Sequence, residues 1–328
     1  MVTAGKGAKS VCVVVVNYNS GATLTVCVRA LLASTVPVGI VVSDNGSQDS
    51  SIAFLRASVT DTPRLSIVEN WENLGFAKAH NDALARCRND YVLVLNPDCI
   101  VEPDTLERMI EVMEQHPEAG MAGCLVLNPD GSEQAGCRRL VPTPWRSMVR
   151  VLHLHRIIKN HPRFRSFVMA GLPLPGAPEP VEAISGAFMF LRREAFEAVG
   201  LMDENYFLHC EDLDWCMRFR QAGWKILFDP QARAVHSKGL STKAHPLLCE
   251  YYKHRGMVRF YNKFFRQQYP GALMVLVTTA VWLRFFAKSA EIIGRKSITM
   301  RHSGRSETPF PMWQARTGAG EKRVVTDS

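Results

Sequence analysis

No two of the nine cysteines (Cys12, Cys27, Cys87, Cys99, Cys124, Cys137, Cys210, Cys216, Cys249) form a C-x-x-C pair, and no two histidines are spaced H-x-x-x-H. Those absences remove the usual zinc-site spacings and the His-rich sets of metal-dependent hydrolases and lyases. An odd, scattered set of cysteines, several inside apolar runs, is expected as buried thiols in a reducing compartment, without disulfides. Met1–Ser10 carries two lysines and no apolar core, so no secretory leader is visible. Val11–Gly21 lacks the glycine-rich basic loop that cradles a triphosphate, which argues against a nucleotidyltransferase. Internal repeats and low-complexity tracts are missing as well. The apolar run Ala272–Leu283 has 12 residues, too few for a bilayer span, which takes about 20.

Excess charge of one sign is missing from most of the chain. The net charge is +8, but Glu250–Arg305 holds 11 Lys/Arg against two acids, and the tail from Ser306 is balanced. Residues 1–249 are therefore close to neutral. That distribution argues against nucleic acid and marks the C-terminal segment as the part with an anionic partner.

What is present is a large apolar content, 47% of 328 residues, and a strand–helix alternation. Short β-branched runs at 11–16, 38–43, 65–68, 91–95 and 121–127 read as buried strands. Helical stretches lie between them at 21–33, 49–58, 76–87 and 102–115. The alternation predicts an α/β fold with a mostly parallel sheet flanked by helices. Asn128-Pro-Asp-Gly131 predicts a tight turn, and the prolines of 140–180 predict a long irregular excursion with one helical piece near 145–158. Order returns at 183–192, with helices from Arg193 and over 211–222 and a strand at 224–229. From 246 to 267 the pattern is helical, aromatic and basic. Beyond Leu283, Arg284, Lys288, Glu291 and Arg295 share a helical face opposite Phe285, Phe286, Ile292 and Ile293, which suits a membrane interface; the alternative is a core-packing helix with solvated charges. The expected division is an N-terminal extension (1–10), a catalytic domain (11–245), a basic amphipathic segment (246–300) and a disordered tail (301–328).

Polar residues gather where apolar strands end. Asn17-Tyr18-Asn19 ends the first, Asp44-Asn45-Gly46 the second, and Asn73-Leu-Gly75 with Asn81 follows the third. Ligands of open α/β sheets bind at such strand ends. Asp44 is placed to accept hydrogen bonds from a ribose or base, although helix capping also favours these residue types. Asn73 and Asn81 suit an amide-bearing ring, and Gly46 and Gly75 allow close backbone approach. Asn96-Pro97-Asp98 ends the fourth strand. Asp98, helped by Asn96, is a candidate ligand for a hard divalent cation against a diphosphate. His236, at a later strand end, is a candidate further ligand, the alternative being a structural histidine. Glu211, Asp212 and Asp214 open a helix; capping needs one carboxylate, not three, so Asp212 is the candidate general base with Glu211 and Asp214 as orienting or structural neighbours.

The ordered set Val-Asn-Tyr-Asn, Asp-Asn-Gly-Ser, Asn-Leu-Gly-Phe…Asn, Leu-Asn-Pro-Asp, Ser-Gly-Ala-Phe-Met and Glu-Asp-Leu-Asp, over residues 11–240, resembles the family 2 inverting glycosyltransferases of GT-A fold. It is most similar to their bacterial rhamnosyltransferase branch. The resemblance implies nucleotide binding by Asp44, the Asn17 region, Asn73 and Gly75, and Gly186 beside the donor sugar. It also implies Mg²⁺ or Mn²⁺ at Asp98 and Asp212 as base. Asn96 replaces the first aspartate of the family's Asp-x-Asp, and His209-Cys210 stand where an aromatic is frequent. The implied reaction moves a sugar, with dTDP-L-rhamnose as the expected donor and UDP- or GDP-sugars as alternatives. The implied acceptor is a polyprenyl-diphosphate-linked saccharide at the cytoplasmic face of the plasma membrane, in cell-wall or O-antigen synthesis. An inactive glycan-binding scaffold would have lost Asp98 or Asp212, and both are present.

Overall fold

The computed structural model describes residues 9–60, 62–158, 161–237 and 245–302, with side chains through 295. Most of the expected tail and of the N-terminal extension lies outside the described residues. Two compact units divide the chain after Ser289. The first holds the sheet and its helices; the described part of the second is the end of the last helix.

The β-branched runs form the centre of a sheet. Strands β1 (Val11–Asn17), β2 (Val38–Asn45), β3 (Leu65–Asn70) and β4 (Tyr91–Leu95) are mutually parallel, in the order β3-β2-β1-β4. β1 is buried along its whole length, as a run of consecutive valines requires in a sheet covered on both faces. Helices α1 (Thr23–Leu32), α2 (Ser51–Ser58) and α3 (Phe76–Leu84) make the crossovers. Register fixes the consequence: Asn17 lies beside Asp44, and Asn45 beside Asn70. The polar strand ends therefore share one edge.

Beyond β4 the sheet is mixed, with strands Ala119–Leu127 and Lys225–His236 parallel to each other and the other pairings antiparallel. A short β5 (Cys99–Val101) precedes α4 (Thr105–Gln115), so the helix expected at 102 starts three residues later. β6 (Ala119–Leu127) runs into the expected turn, where Gly131 N–H donates to the Asn128 carbonyl. The Pro-rich excursion leaves from β7 (Arg138–Arg139), carries α5 (Pro144–Val151) and α6 (Leu154–Ile157), and returns through β8 (Glu179–Pro180) and β9 (Ala183–Ile184). β7 and β9 pair antiparallel, with Arg139 opposite Ala183. The buried Arg138 holds the loop by bonding the Glu133 carboxylate and the Leu172 and Pro173 carbonyls. β10 (Phe188–Arg192) inserts antiparallel between β4 and β6, so it begins at the edge where β4 ends. α7 (Arg193–Val199) and α8 (Glu211–Gln221) follow. β11 (Lys225–His236) is longer than expected; it passes a register irregularity after Asp229 and pairs His236 with Cys99 of β5.

Three differences from the expectations have physical causes. Cys12 and Cys87 form a disulfide with Cα atoms 5.8 Å apart, because α3 packs on β1 and its following turn reaches the strand's start. The other seven cysteines are buried thiols, so cysteine usage alone no longer assigns a reducing compartment. The core also continues past 245: in α9 (Pro246–Phe265), Phe260, Tyr261, Phe264 and Phe265 belong to the same buried cluster as the sheet. Finally, the apolar run does not end a helix at Leu283. It opens α10 (Gly271–His302), whose Gly271–Arg295 stretch is long and apolar enough to cross a membrane by length and composition, with almost none of it buried.

Candidate active site

The ends of β1 and β2 are tied together before any ligand arrives. Asn17 donates through Nδ2 to Asp44 Oδ1 at 2.7 Å and to the hydroxyls of Ser47 and Ser51 at 3.0 and 2.8 Å. Asp44 also accepts from Ser47 N–H at 3.2 Å. Asn19, in a left-handed conformation, accepts from Gln48 N–H at 2.8 Å. Asn45 donates to Asn73 Oδ1 at 2.9 Å and accepts from Leu74 N–H at 2.9 Å. Five of the residues expected at the nucleotide pocket thus fall in two hydrogen-bonded networks at adjacent strand ends. The buried Asn17 Oδ1 has no hydrogen-bond partner among the described residues, and a buried acceptor of that kind is costly without a ligand or water.

Both loop glycines are sterically required. At Gly46 (φ +74°) a Cβ would sit 2.9 Å from the Glu72 carbonyl carbon, and at Gly75 (φ +84°) 2.7 Å from the Phe207 oxygen. The Asn73–Gly75 turn therefore lies flush against the loop leading to α8. Asn81 departs from its expected role. Its amide donates to Met202 O and accepts from Met202 N–H at 2.9 and 3.0 Å, and donates to Glu204. Both ends are occupied by the protein, so Asn81 anchors α3 to the 202–204 loop instead of reading a ring.

Asp98 and His236 meet because β5 and β11 pair. His236 Nε2 is 3.0 Å from Asp98 Oδ1 and 3.2 Å from Asn96 Nδ2. Gln134, which sequence reading missed, fixes the imidazole. Its Nε2 donates to the Asn128 side chain and the His236 carbonyl, leaving Oε1 to accept from His236 Nδ1–H at 2.6 Å. In the neutral ring the Nε2 lone pair accepts from Asn96 Nδ2 beside the Asp98 carboxylate, so a nitrogen and a carboxylate oxygen converge on one point. A histidine oriented through its second nitrogen is the usual arrangement of a metal ligand. Among the described residues no group of three or more His, Cys, Asp or Glu could hold a metal. Asp98 and His236 supply at most two ligands, so a divalent cation here would need its remaining oxygens from outside the protein, as Mg²⁺ commonly takes them from phosphates and water.

Asp212 opens α8 from a turn whose two preceding residues, His209 and Cys210, are both left-handed. Its Oδ2 accepts from the Gly186 N–H at 3.2 Å and from the Arg139 guanidinium; Oδ1 accepts from Leu213 N–H at 2.8 Å. Gly186 leaves room for this: a Cβ there would lie 3.2 Å from Asp212 Cβ. Arg139 was also missed by sequence reading. Burial works against its charge, but Asp212 raises its pKa above the ordinary arginine value. The adjacent signal, Cys137-Arg138-Arg139 between a turn and a proline-rich run, has no period to mark it.

The three acidic residues divide their roles. Glu211 is buried, and desolvation, followed by the neighbouring Asp212 charge, pushes its pKa well above the glutamate range. Asp214, fully buried, bonds Arg218 Nε at 2.8 Å and lies 2.6 Å from Lys263 Nζ of α9. Only Asp212 keeps an exposed fraction, 14% of its side chain. Burial lowers His209 to about 4, so it is neutral near neutral pH and no competing acid.

A family model described as Glycosyl transferase family 2 matches residues 12–200. An N-acetylglucosaminyl-diphospho-decaprenol L-rhamnosyltransferase of Mycobacterium tuberculosis is 30% identical over 250 residues, 71% of this chain and 78% of that protein. Rhamnosyltransferase WbbL of Escherichia coli is 27% identical over 209 residues, 58% of this chain and 66% of the relative. Among solved structures, GalNAc-T7 with UDP, GalNAc and Mn²⁺ superposes with a TM-score of 0.58 at 17% identity, over 79% of this chain and 48% of that one. The mannosyltransferase PcManGT of Pyrobaculum calidifontis, in complex with GDP-Man and Mn²⁺, gives 0.55 at 15%, over 91% and 84%. Both share the α/β sheet architecture described above.

Proposed function

Since this chain belongs to glycosyl transferase family 2, we propose that it transfers L-rhamnose from dTDP-L-rhamnose to a hydroxyl of a polyprenyl-diphosphate-linked saccharide. The reaction inverts the anomeric carbon and takes place at the cytoplasmic face of the plasma membrane, in cell-envelope glycan synthesis. The observation that carries the reading is Asp212, a partly exposed carboxylate held against the Gly186 backbone at the sheet edge where Asp44 and Asp98 also lie. The M. tuberculosis and E. coli relatives support rhamnose, and the former also supports a lipid diphosphate acceptor.

Asp212 accepts the acceptor's hydroxyl proton as that oxygen attacks the anomeric carbon opposite the leaving diphosphate. Arg139, Gly186 N–H and Leu213 N–H fix its carboxylate so that little reorganisation accompanies the transfer. One base without a nucleophilic carboxylate gives a single displacement, hence inversion. Asn17, Asp44, Asn45 and Asn73 hold the nucleotide loops, and Asn17 Oδ1 offers an acceptor toward it. Asp98 and His236 would hold a divalent cation, which would supply positive charge against the diphosphate leaving group.

The test is a panel of dTDP-, UDP- and GDP-sugars with membranes and Mg²⁺ or Mn²⁺, reading both nucleotide release and glycolipid. Rhamnose transfer from the dTDP donor is expected, with an Asp212→Asn variant that binds nucleotide but loses roughly 10²–10⁴ in turnover. Transfer from a UDP- or GDP-sugar overturns the donor, and wild-type turnover in the variant overturns the base.

A further inference from the structure

One cavity next to the base turn has no part in the chemistry described so far. It has a volume of about 130 Å³ and is lined by Asn205, Tyr206, Phe207, Tyr252, Arg255 and Arg259, with Gly256 in its wall. The size exceeds the ~30 Å³ share of a liquid water and falls short of the roughly 300 Å³ at which pockets begin to enclose a whole drug-sized ligand. It admits a headgroup, not an oligosaccharide.

Its charges are unequally committed. Arg259 donates to Asp203 at 2.8 Å and lies over the Tyr206 ring, and Lys263 donates to the same carboxylate at 2.8 Å. Asp203 is thereby fully engaged. Arg255, one helical turn before Arg259 on the same face, is exposed and has no hydrogen bond or ion pair among the described residues. An unpaired guanidinium in the lining of a cavity of mixed polar and aromatic character is suited to a phosphate or diphosphate, which it can bond through two parallel N–H groups.

The surroundings set the ligand's direction. On one side Gly256 lets α9 close on the base turn, where a Cβ would sit 2.8 Å from the His209 oxygen and 3.2 Å from Cys210 Sγ. On the other side Tyr252 stacks on Phe207 with ring centroids 4.4 Å apart. Tyr251, the residue before it, meets Trp282 and Phe285 of α10 at 6.0 and 6.1 Å. Moving along α9, an apolar helix gives way to aromatic rings, then to an unpaired arginine, then to the turn that aims Asp212. A lipid tail, an anionic linker and a sugar hydroxyl follow the same order.

We propose that this cavity is the acceptor's diphosphate subsite, with Arg255 as its principal contact and the Tyr252–Phe207 pair as its aromatic wall. The inference rests on the lipid-linked acceptor of the proposed function, and it goes further by giving that acceptor a place and a polarity.

The experiment measures binding without turnover. The full-length protein in detergent is titrated with farnesyl diphosphate, farnesol, dTDP and UDP, in the wild type and in Arg255→Gln and Arg255→Lys. Saturable binding of farnesyl diphosphate is expected, weakened roughly 10- to 100-fold by Arg255→Gln, as loss of a charge-assisted contact implies, and partly restored by Arg255→Lys. Binding of farnesol and of the nucleotides should not move. Absence of wild-type binding, or equal binding by Arg255→Gln, overturns the subsite, as does a parallel loss of nucleotide binding. Vesicles of phosphatidylglycerol form a separate arm. If Arg255→Gln loses vesicle binding but keeps farnesyl diphosphate, the arginine contacts the bilayer surface and the cavity assignment falls. Sugar transfer by a wild type that fails the farnesyl arm would leave the enzyme reading standing alone; Arg255-dependent binding without transfer from any donor would leave the subsite alone.

Discussion

One added methyl group can report how Asp212 is aimed. Gly186 has an ordinary φ, so alanine fits its backbone, but the new Cβ would press on Asp212 Cβ at 3.2 Å and on its carboxylate at 3.6 Å. The carboxylate must shift by a few tenths of an ångström. Gly186→Ala should therefore keep a near-normal Tm while kcat falls by up to about 10²-fold, the scale of loss for a small misplacement of a reacting group. Undiminished turnover would show that Gly186 does not position the base. Glu211 permits a second reading at this scale. Its carboxyl has a pKa raised on folding, so the folded state binds more protons than the unfolded one. Its stabilising contribution is present at low pH and is lost as pH rises from the ordinary glutamate range through the raised value. Glu211→Gln, which keeps the shape of the protonated form, should flatten that loss in Tm measured against pH; an unchanged profile would mean Glu211 is not the group responsible. Asp98 and His236 stand out as candidates in the sequence because each follows an apolar strand, and Asp212 because it lies in a cluster of carboxylates that opens a helix. Arg139 and Gln134 do not, since a two-residue β7–β9 pair and a turn bring them to the site from segments with no hydrophobic period. Asn81 was misread because an asparagine near a ligand loop has the same signature whether it binds substrate or the Met202 backbone.

At the scale of elements, the β-branched runs made the parallel strands legible, whereas the pairings that complete the site were not. β5 and the second half of β11 are short or irregular, and only their antiparallel register sets His236 against Asp98. α9 shows how charge misleads when counted along a chain. Its Arg259 and Lys263 read as part of a basic surface, yet both pair with Asp203, and Lys263 also reaches the buried Asp214. They hold α9 to the loop and helix that present Asp212. Lys263→Met removes one partner from a carboxylate with no solvent exposure, at an expected cost on the order of 2–3 kcal/mol. Denaturant unfolding should show that loss with little change in m-value. A stability within about 0.5 kcal/mol of wild type, the range of neutral surface changes, would mean that Arg218 alone satisfies Asp214.

For the whole molecule, α10 is where the sequence and the structure differ most, and it bears on how the proposed lipid-linked acceptor would be met. The 12-residue apolar run pointed to a helix lying in the interface. A continuous helix whose Gly271–Arg295 stretch can cross a bilayer changes the geometry, and its apolar side chains, Leu276, Leu283 and Phe286 among them, are exposed. Large exposed apolar side chains along one helix need a cover, and lipid supplies one without a further protein. Deleting residues 271–328 should then move the protein from the membrane fraction to the soluble one, with the sheet and α9 still folded by circular dichroism. Washing full-length membranes separates the two modes of attachment. A basic helix lying on an anionic surface is released by high salt, because its attraction is screened within about 3 Å at 1 M. A spanning helix stays through salt and yields only to detergent. Retention through the wash combined with release by the deletion would place α10 across the bilayer. Unchanged partitioning of a folded truncated protein would remove α10 as the anchor and leave the lipid substrate itself as the link to the membrane.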